Sequence, residues 1–177
     1  MEATAIILEA FTRVRDALPR ALDGLTDDEL HRGPHPPIAW LVWRINRVRD
    51  SNISRLANLE QAWIAEGWHA RFGMEPNPRD FGPALTHTRE QVAAFRAPDA
   101  RTLLDYHEVV HQRTVDYLSS LRAEDLDREL NEPSYQPLPT VGVRLVSVLE
   151  SNLQDVGRIV YLRHLHRVGG WFPVEVS

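Results

Sequence analysis

Arg44, His111 and Asp155 are ionisable residues set among apolar neighbours at helical spacing. Leu41 stands three residues before Arg44 and Val48 four after it. His111 has Leu104 seven before, Val115 four after and Leu118 seven after. Asp155 has Val148 seven before, Ile159 four after and Leu162 seven after, with Ser151 one turn earlier. Residues three, four and seven apart share a helix face, so all three read as interior. Buried charge is costly unless it is paired or used. A guanidinium can hold an anion or a developing oxyanion. An imidazole moves protons near neutral pH. A carboxylate can orient the guanidinium or serve as the base. His107 lies one turn from His111. With Asp155 the two would make a two-His, one-carboxylate set suited to iron, nickel or zinc.

Each residue also has a purely structural reading. Arg44 can lay its stem on apolar surface with the charge in water, next to a basic face made with Arg47 and Arg49. Asp155 can pair locally with Arg158 three residues on. His107 and His111 can be core histidines bonded to neighbours. Trp43 and Trp68, with Ser151, are candidates to line a ligand pocket. Trp63, Trp68 and Phe72 suit core or lid packing better than a ligand cage. His164 and His166 fall in a last helical turn, where positive charge is favoured. His31 and His35 border a proline-rich connector that nothing in the sequence fixes in place.

Four long helices must position these side chains. The first spans about Ala3 to Ala21, with Ile7, Phe11, Val14 and Leu18 on one face, and Pro19 should kink or end it. Thr26 to Glu29 fits a capping box. Gly33 to Pro37 is extended, and Pro37 suits the start of a second helix that runs to about Leu59. A less regular region follows, with a loop over Gly73 to Gly82 and a short helix capped by Thr88 and running through Phe95. Pro98-Asp99 opens a third helix to about Leu121, and Glu124 to Leu130 can add a helical turn. Thr140 caps the last helix, which runs to about Arg167 and stops at Gly169-Gly170, with Trp171-Phe172-Pro173 packing back. No strand pattern stands out. The expected fold is all-α: one four-helix bundle over residues 1–177, with a long connector between the second and third helices.

The composition narrows the chemistry. The chain has 177 residues, 43% apolar and 25% charged, with a net charge of -5, which argues against general nucleic-acid affinity. All 20 basic residues are Arg, which excludes a Lys nucleophile or Schiff base. Cys is absent, and with it disulfides and thiolate ligands. There is no phosphate loop, dinucleotide fingerprint or nucleophile elbow. The first residues have neither the basic region nor the apolar length of a signal peptide, and no run is apolar enough to cross a membrane. A cytoplasmic location is expected.

The stretch Ile38-Ala39-Trp40-Leu41-Val42-Trp43-Arg44-Ile45-Asn46-Arg47-Val48-Arg49-Asp50 resembles the second helix of the DinB/YfiT-like superfamily. Asn152-Leu153-Gln154-Asp155-Val156-Gly157-Arg158-Ile159, followed by Tyr161-Leu162-Arg163, resembles its last helix. Leu25 to Leu30 with the following prolines, and Glu60 to Gly73, fit the same pattern. The resemblance implies an up-down-down-up four-helix bundle. It implies a divalent nickel or zinc ion held by three His in many members. The activities it implies are those of thiol-dependent transferases, the mycothiol-dependent maleylpyruvate isomerase type, or metal-dependent hydrolases. It also implies that homodimers are common. Aligned on Trp43 and Gly157, the family's His positions fall on Arg44, Ser151 and Asp155. Arg is no ordinary metal ligand, because its guanidinium stays protonated. Arg and Asp can instead form a paired set of hydrogen bonds in the space of the metal.

Three functions compete on these grounds. The first is a metal-independent small-molecule enzyme, an isomerase, cyclase or transferase, with Arg44, His111 and Asp155 catalytic and no cofactor. The second is a non-catalytic protein that binds an anionic small molecule through Arg44, His107, His111, Ser151, Asp155, Trp43 and Trp68. The third is a metalloenzyme with a rearranged site of His107, His111 and Asp155.

Overall fold

The computed structural model describes residues 2–33, 36–80 and 87–167. The long helices are α1 (Ala3–Leu22), α3 (Ile38–Ala57), α7 (Ala100–Ser120) and α8 (Val141–His166). Short helices lie between them: α2 (Asp27–His31), α4 (Ala62–Ala65), α5 (Trp68–Arg71) and α6 (Arg89–Ala94), with a 3-10 turn at Ala123–Asp127. Among the described residues the sole β feature is an isolated bridge between Glu129 and Thr140.

Local chemistry sets the helix starts. Thr26 and Thr88 form capping boxes with Glu29 and Gln91, so two orphan backbone donors are met at each start. Asp99 accepts from the Thr102 N–H, and Thr140 from that of Val143. Pro19 neither ends nor interrupts α1 before Leu22. It sits one turn from the helix end, so it removes a single backbone donor there. Asn58 closes α3 in the left-handed conformation, and its N–H returns to the last turn. The proposed stop at Gly169-Gly170, the tail packing and His35 lie outside the described residues.

α3 packs on α7 and α8, and α1 packs on the same two helices. Contacts along the helices fix their directions. Asn46, near the middle of α3, donates to the Leu103 carbonyl near the start of α7, and Ala57 and Ser120 line one depression at the far ends of the two helices, so α3 and α7 run alike. Arg44 pairs with Asp155, while Arg55 and Arg144 share Glu132, so α8 runs opposite to α3. Arg15 reaches Glu108, and Arg163 reaches the Ala21 carbonyl, so α1 runs against α7 and with α8. Among the long helices α1 and α8 therefore share one direction and α3 and α7 the other.

The core has two parts. One is aromatic, around Trp40, Trp43, Trp63, Trp68, Phe72, Phe95 and Tyr106. The other is smaller, around Phe11, Ile53, Leu118, Leu145 and Val148. Trp43 and Trp63 are fully buried, and the rings of Trp63, Trp68 and Phe72 all pack against Tyr106, the last edge-on. These rings attach the irregular connector to α3 and α7, in keeping with the packing role expected for Trp63, Trp68 and Phe72.

Candidate functional site

Arg44 and Asp155 meet where α3 crosses α8. The Arg44 guanidinium donates to Asp155 Oδ2, and the second oxygen, Oδ1, accepts from Arg158 at 3.0 Å. Asp155 is 1% exposed, while the Arg44 side chain keeps 19% of its surface. Both alternatives posed for Asp155 therefore hold together: the cross-helix pair and the local pair share one carboxylate. Burial pushes the Asp155 carboxyl above its usual range, and Arg44 and then Arg158 pull it back. The Arg44 guanidinium also lies 5.9 Å from the Trp40 ring centre, and its Nε is buried with no protein partner. Next to Arg158, a shallow apolar depression is lined by Pro36, Leu41, Tyr161 and Leu162.

Behind Trp40 stands a residue that the sequence reading missed. The Trp40 indole N–H donates to His87 Nδ1 at 3.0 Å, and His87 Nε2 reaches Asp80 at 2.8 Å. The His87 ring stacks on Trp43 at 5.2 Å with the planes 6° apart. Both ring nitrogens are engaged, so His87 orients the Trp40 wall and has no lone pair left for substrate. No local pattern marks it, because its partners are 47 residues away on α3 and seven residues back in the connector. Trp43 lies in the aromatic core beside His87, and Trp68 packs on Tyr106; Ser151 is half-buried on α8 one turn from Asp155.

His107 and His111 occupy a different part of the interior. His107 Nδ1 bonds the Asn46 side-chain oxygen at 2.6 Å and lies 3.5 Å from Arg49. His107 is 2% exposed and His111 7%. Burial and then Arg49 hold both imidazoles below their ordinary value. The groups that act on His111 are Arg49, Glu108, Arg15 and Asp16, not Arg44 or Asp155. The expected convergence of Arg44, His111 and Asp155 is thus met for the first and last residues, and no contact joins His111 to them. Asn46 stands two positions and Arg49 five positions after Arg44, on other faces of α3, which is why spacing on each helix alone could not tell one interior from two.

Arg47 and Arg49 are fully buried, which overturns the basic face expected for them. Arg47 donates to the Asp80 and Asn77 carbonyls at 3.0 and 3.2 Å and to Gln61 at 3.0 Å. Its guanidinium stands 4.5 Å over the Trp63 ring. Asp50, 3.6 Å from Arg47, accepts from the Ala62 and Trp63 N–H groups and from Ser54 and Tyr106. His31 is fixed as well, because the Ala97 N–H donates to its Nε2 at 3.1 Å.

With this geometry in place, a family model described as the DinB superfamily matches residues 10–150. The chain belongs to the DinB superfamily. The match includes Arg44, His107 and His111 and ends just before Ser151 and Asp155. The crystal structure of a conserved protein from Enterococcus faecalis is similar, with a TM-score of 0.83 and 27% identity over 93% of this chain and 97% of that one. No curated protein matches the chain. In this DinB-superfamily bundle the polar residues where α3 crosses α8 are engaged with one another. Arg44 presents N–H donors only, and both Asp155 oxygens already accept from guanidinium groups. Among the described residues no three His, Asp or Glu side chains group as ligands, and His107, His111 and Asp155 form no such group. No helix among the described residues is long and apolar enough to cross a membrane.

Proposed function

We propose that this DinB-superfamily protein uses its α3–α8 site without a metal ion, to bind a small anionic molecule. The observation that carries the reading is the buried Asp155 carboxylate held between Arg44 and Arg158. The pair fills with fixed opposite charges the place that the resemblance gives to a cation and its ligands. Two guanidiniums to one carboxylate leave one positive charge at the site. The apolar depression beside Arg158 supplies a wall for the carbon part of a ligand. An anion exchanging with Asp155 for Arg44, or bridging Arg44 and Arg158, would be held by charge-assisted hydrogen bonds.

Catalysis at this site is the second reading, and the raised Asp155 carboxyl favours it. A carboxyl pushed up by burial is closer to the range in which it can take and return a proton. His111 has no part in this form of the reading, because its neighbours are those of the other interior. The reaction would be one that needs proton movement and charge stabilisation alone, such as isomerisation, cyclisation or a transfer. A cytoplasmic, homodimeric protein with no cofactor is the setting we propose for either reading.

Metal analysis of the untagged protein is the direct test. The expected result is no stoichiometric nickel, zinc or iron, and gain of metal in the double variant Arg44→His with Asp155→His. Stoichiometric metal in the wild type, lost in Asp155→Ala, would overturn the proposal. Binding and catalysis separate on one compound: Arg44→Ala should weaken affinity in both readings, whereas Asp155→Asn should abolish turnover with affinity kept only if the site is catalytic.

A further inference from the structure

The second interior, around Arg49, carries an observation that the α3–α8 site does not explain. Arg49 is fully buried and makes no ion pair among the described residues; the acid whose charge acts on it is Glu108, an exposed residue already bonded to Arg15. Its Nε and Nη1 donors have no protein partner. Its Nη2 lies 3.5 Å from His107 Nδ1, at the limit of a hydrogen bond. That nitrogen is moreover committed elsewhere. Asn46 spends its amide N–H₂ on the Leu103 carbonyl at 3.1 Å, so its side-chain oxygen faces His107 Nδ1 and calls for an N–H there. His111 Nδ1 is likewise buried with no protein partner. The aromatic face of Phe11, 5.3 Å from the guanidinium, is the remaining neighbour that favours positive charge.

A guanidinium enclosed by protein and unmatched by a carboxylate is among the costliest arrangements a core can hold. Burial draws the Arg49 pKa down to about 9, which still leaves it charged at neutral pH. Buried orphan donors are rare in folded proteins and call for a partner. We infer that Arg49, with His111 as a second donor, forms an interior site for one small monovalent anion of the halide or formate class. No partner fixes the position of the His111 proton, so Nδ1 can present an N–H. His107, protonated at Nδ1 by its bond to Asn46, has a lone pair and no proton at its buried Nε2, so the anion seats against Arg49 and His111. Size follows from burial. Arg49 at 0%, His107 at 2% and His111 at 7% exposure leave no open mouth for a larger molecule, which restricts the inferred occupant to an ion of a few atoms. His111, the most exposed of the three, marks the entry side between α1 and α7. This site shares no residue with the Arg44–Asp155 pair and stands or falls independently of it.

The test compares thermal unfolding in sodium chloride, bromide, formate and gluconate at matched ionic strength, gluconate being too large to enter. The expected result is a midpoint about 3–6 °C higher in chloride, bromide or formate than in gluconate, by preferential binding to the folded state. Arg49→Met, which replaces the cation with an apolar side chain of similar length, should lose the difference between salts. Arg79→Ala, on the surface, should keep it. Equal midpoints in all four salts overturn the inference, as does an unchanged response in Arg49→Met. Bromide-soaked crystals of the wild type give an independent answer if Arg49→Met does not fold. An anomalous peak against the Arg49 guanidinium supports the site, and water alone there refutes it. A response to formate without one to halide would assign the site to small carboxylates.

Discussion

Arg47 and Arg49 stand two residues apart on the same helix, and both are fully buried, yet the molecule treats them in opposite ways. Around Arg47 the connector supplies carbonyls from Asn77 and Asp80, the Gln61 side chain and the Asp50 carboxylate. Around Arg49 the packed helices α1 and α7 supply an aromatic face and two histidines. The difference teaches that regular helices are poor at matching buried charge. Their backbone acceptors are spent inside the helix, whereas an irregular segment has carbonyls to offer. Buried charge is therefore structural where it faces the connector and available for binding where it faces the bundle.

The largest effect should come from removing a member of the matched region. Asp50→Ala strips four donors and Arg47 of their acceptor, and chemical denaturation should show a loss of about 3–5 kcal/mol. Arg47→Met should cost more than Arg49→Met by at least about 2 kcal/mol, because only Arg47 has a complete set of partners to orphan. Equal losses in the two variants would break the contrast.

The Arg44–Asp155 pair lies between these extremes. Arg44→Ala should destabilise by about 1–3 kcal/mol, less than a fully buried pair would, because Arg158 remains on Asp155 and Arg44 is partly exposed. The double change Arg44→Met with Asp155→Leu should cost less than Asp155→Ala, as a double-mutant cycle would show. Arg158→Ala should cost about 0.5 kcal/mol or less, since the Arg158 side chain is 58% exposed.

The histidines of the unmatched region predict a pH dependence. His107 and His111 are held below their ordinary 6.5 in the fold, by burial first and Arg49 second. The unfolded chain therefore takes up protons near pH 6.5 that the folded protein still refuses. Their contribution is fully present above that value, and stability falls as pH drops below it. The charges that face them are Arg49 from α3, Arg15 and Asp16 from α1, and Glu108 on α7; at His111 Arg49 outweighs Glu108 and Arg15 outweighs Asp16, so the acids only soften the shift. Urea midpoints at pH 7.5 and 5.5 should differ, and the difference should shrink in Arg49→Met, where the repelling charge is gone. A midpoint flat with pH would contradict the burial of both rings.

Much of the fold could be read from the sequence, because helix limits are local. Thr26, Thr88, Asp99 and Thr140 cap where their types and spacing place them. The interior position of Arg44 and Asp155 was readable for the same reason, as was their complementarity. What the helical period could not supply was which interior each polar residue enters. His111 and Asp155 both have apolar neighbours at i+4 and i+7, yet one faces Arg49 and the other Arg44. His87 was invisible because its role is made by Trp40, Trp43 and Asp80 together.

The sequence by itself determined four amphipathic helices, their caps and a set of ionisable residues that had to be buried, since periodicity and capping act within a few residues. The tertiary structure alone decided how those charges were matched. Pairing Arg44 with Asp155, surrounding Arg47 with connector carbonyls and leaving Arg49 among aromatic and imidazole rings all depend on contacts between segments far apart in the chain. A buried ion answers to the atoms within a few ångströms of it, and only the folded chain brings those atoms together.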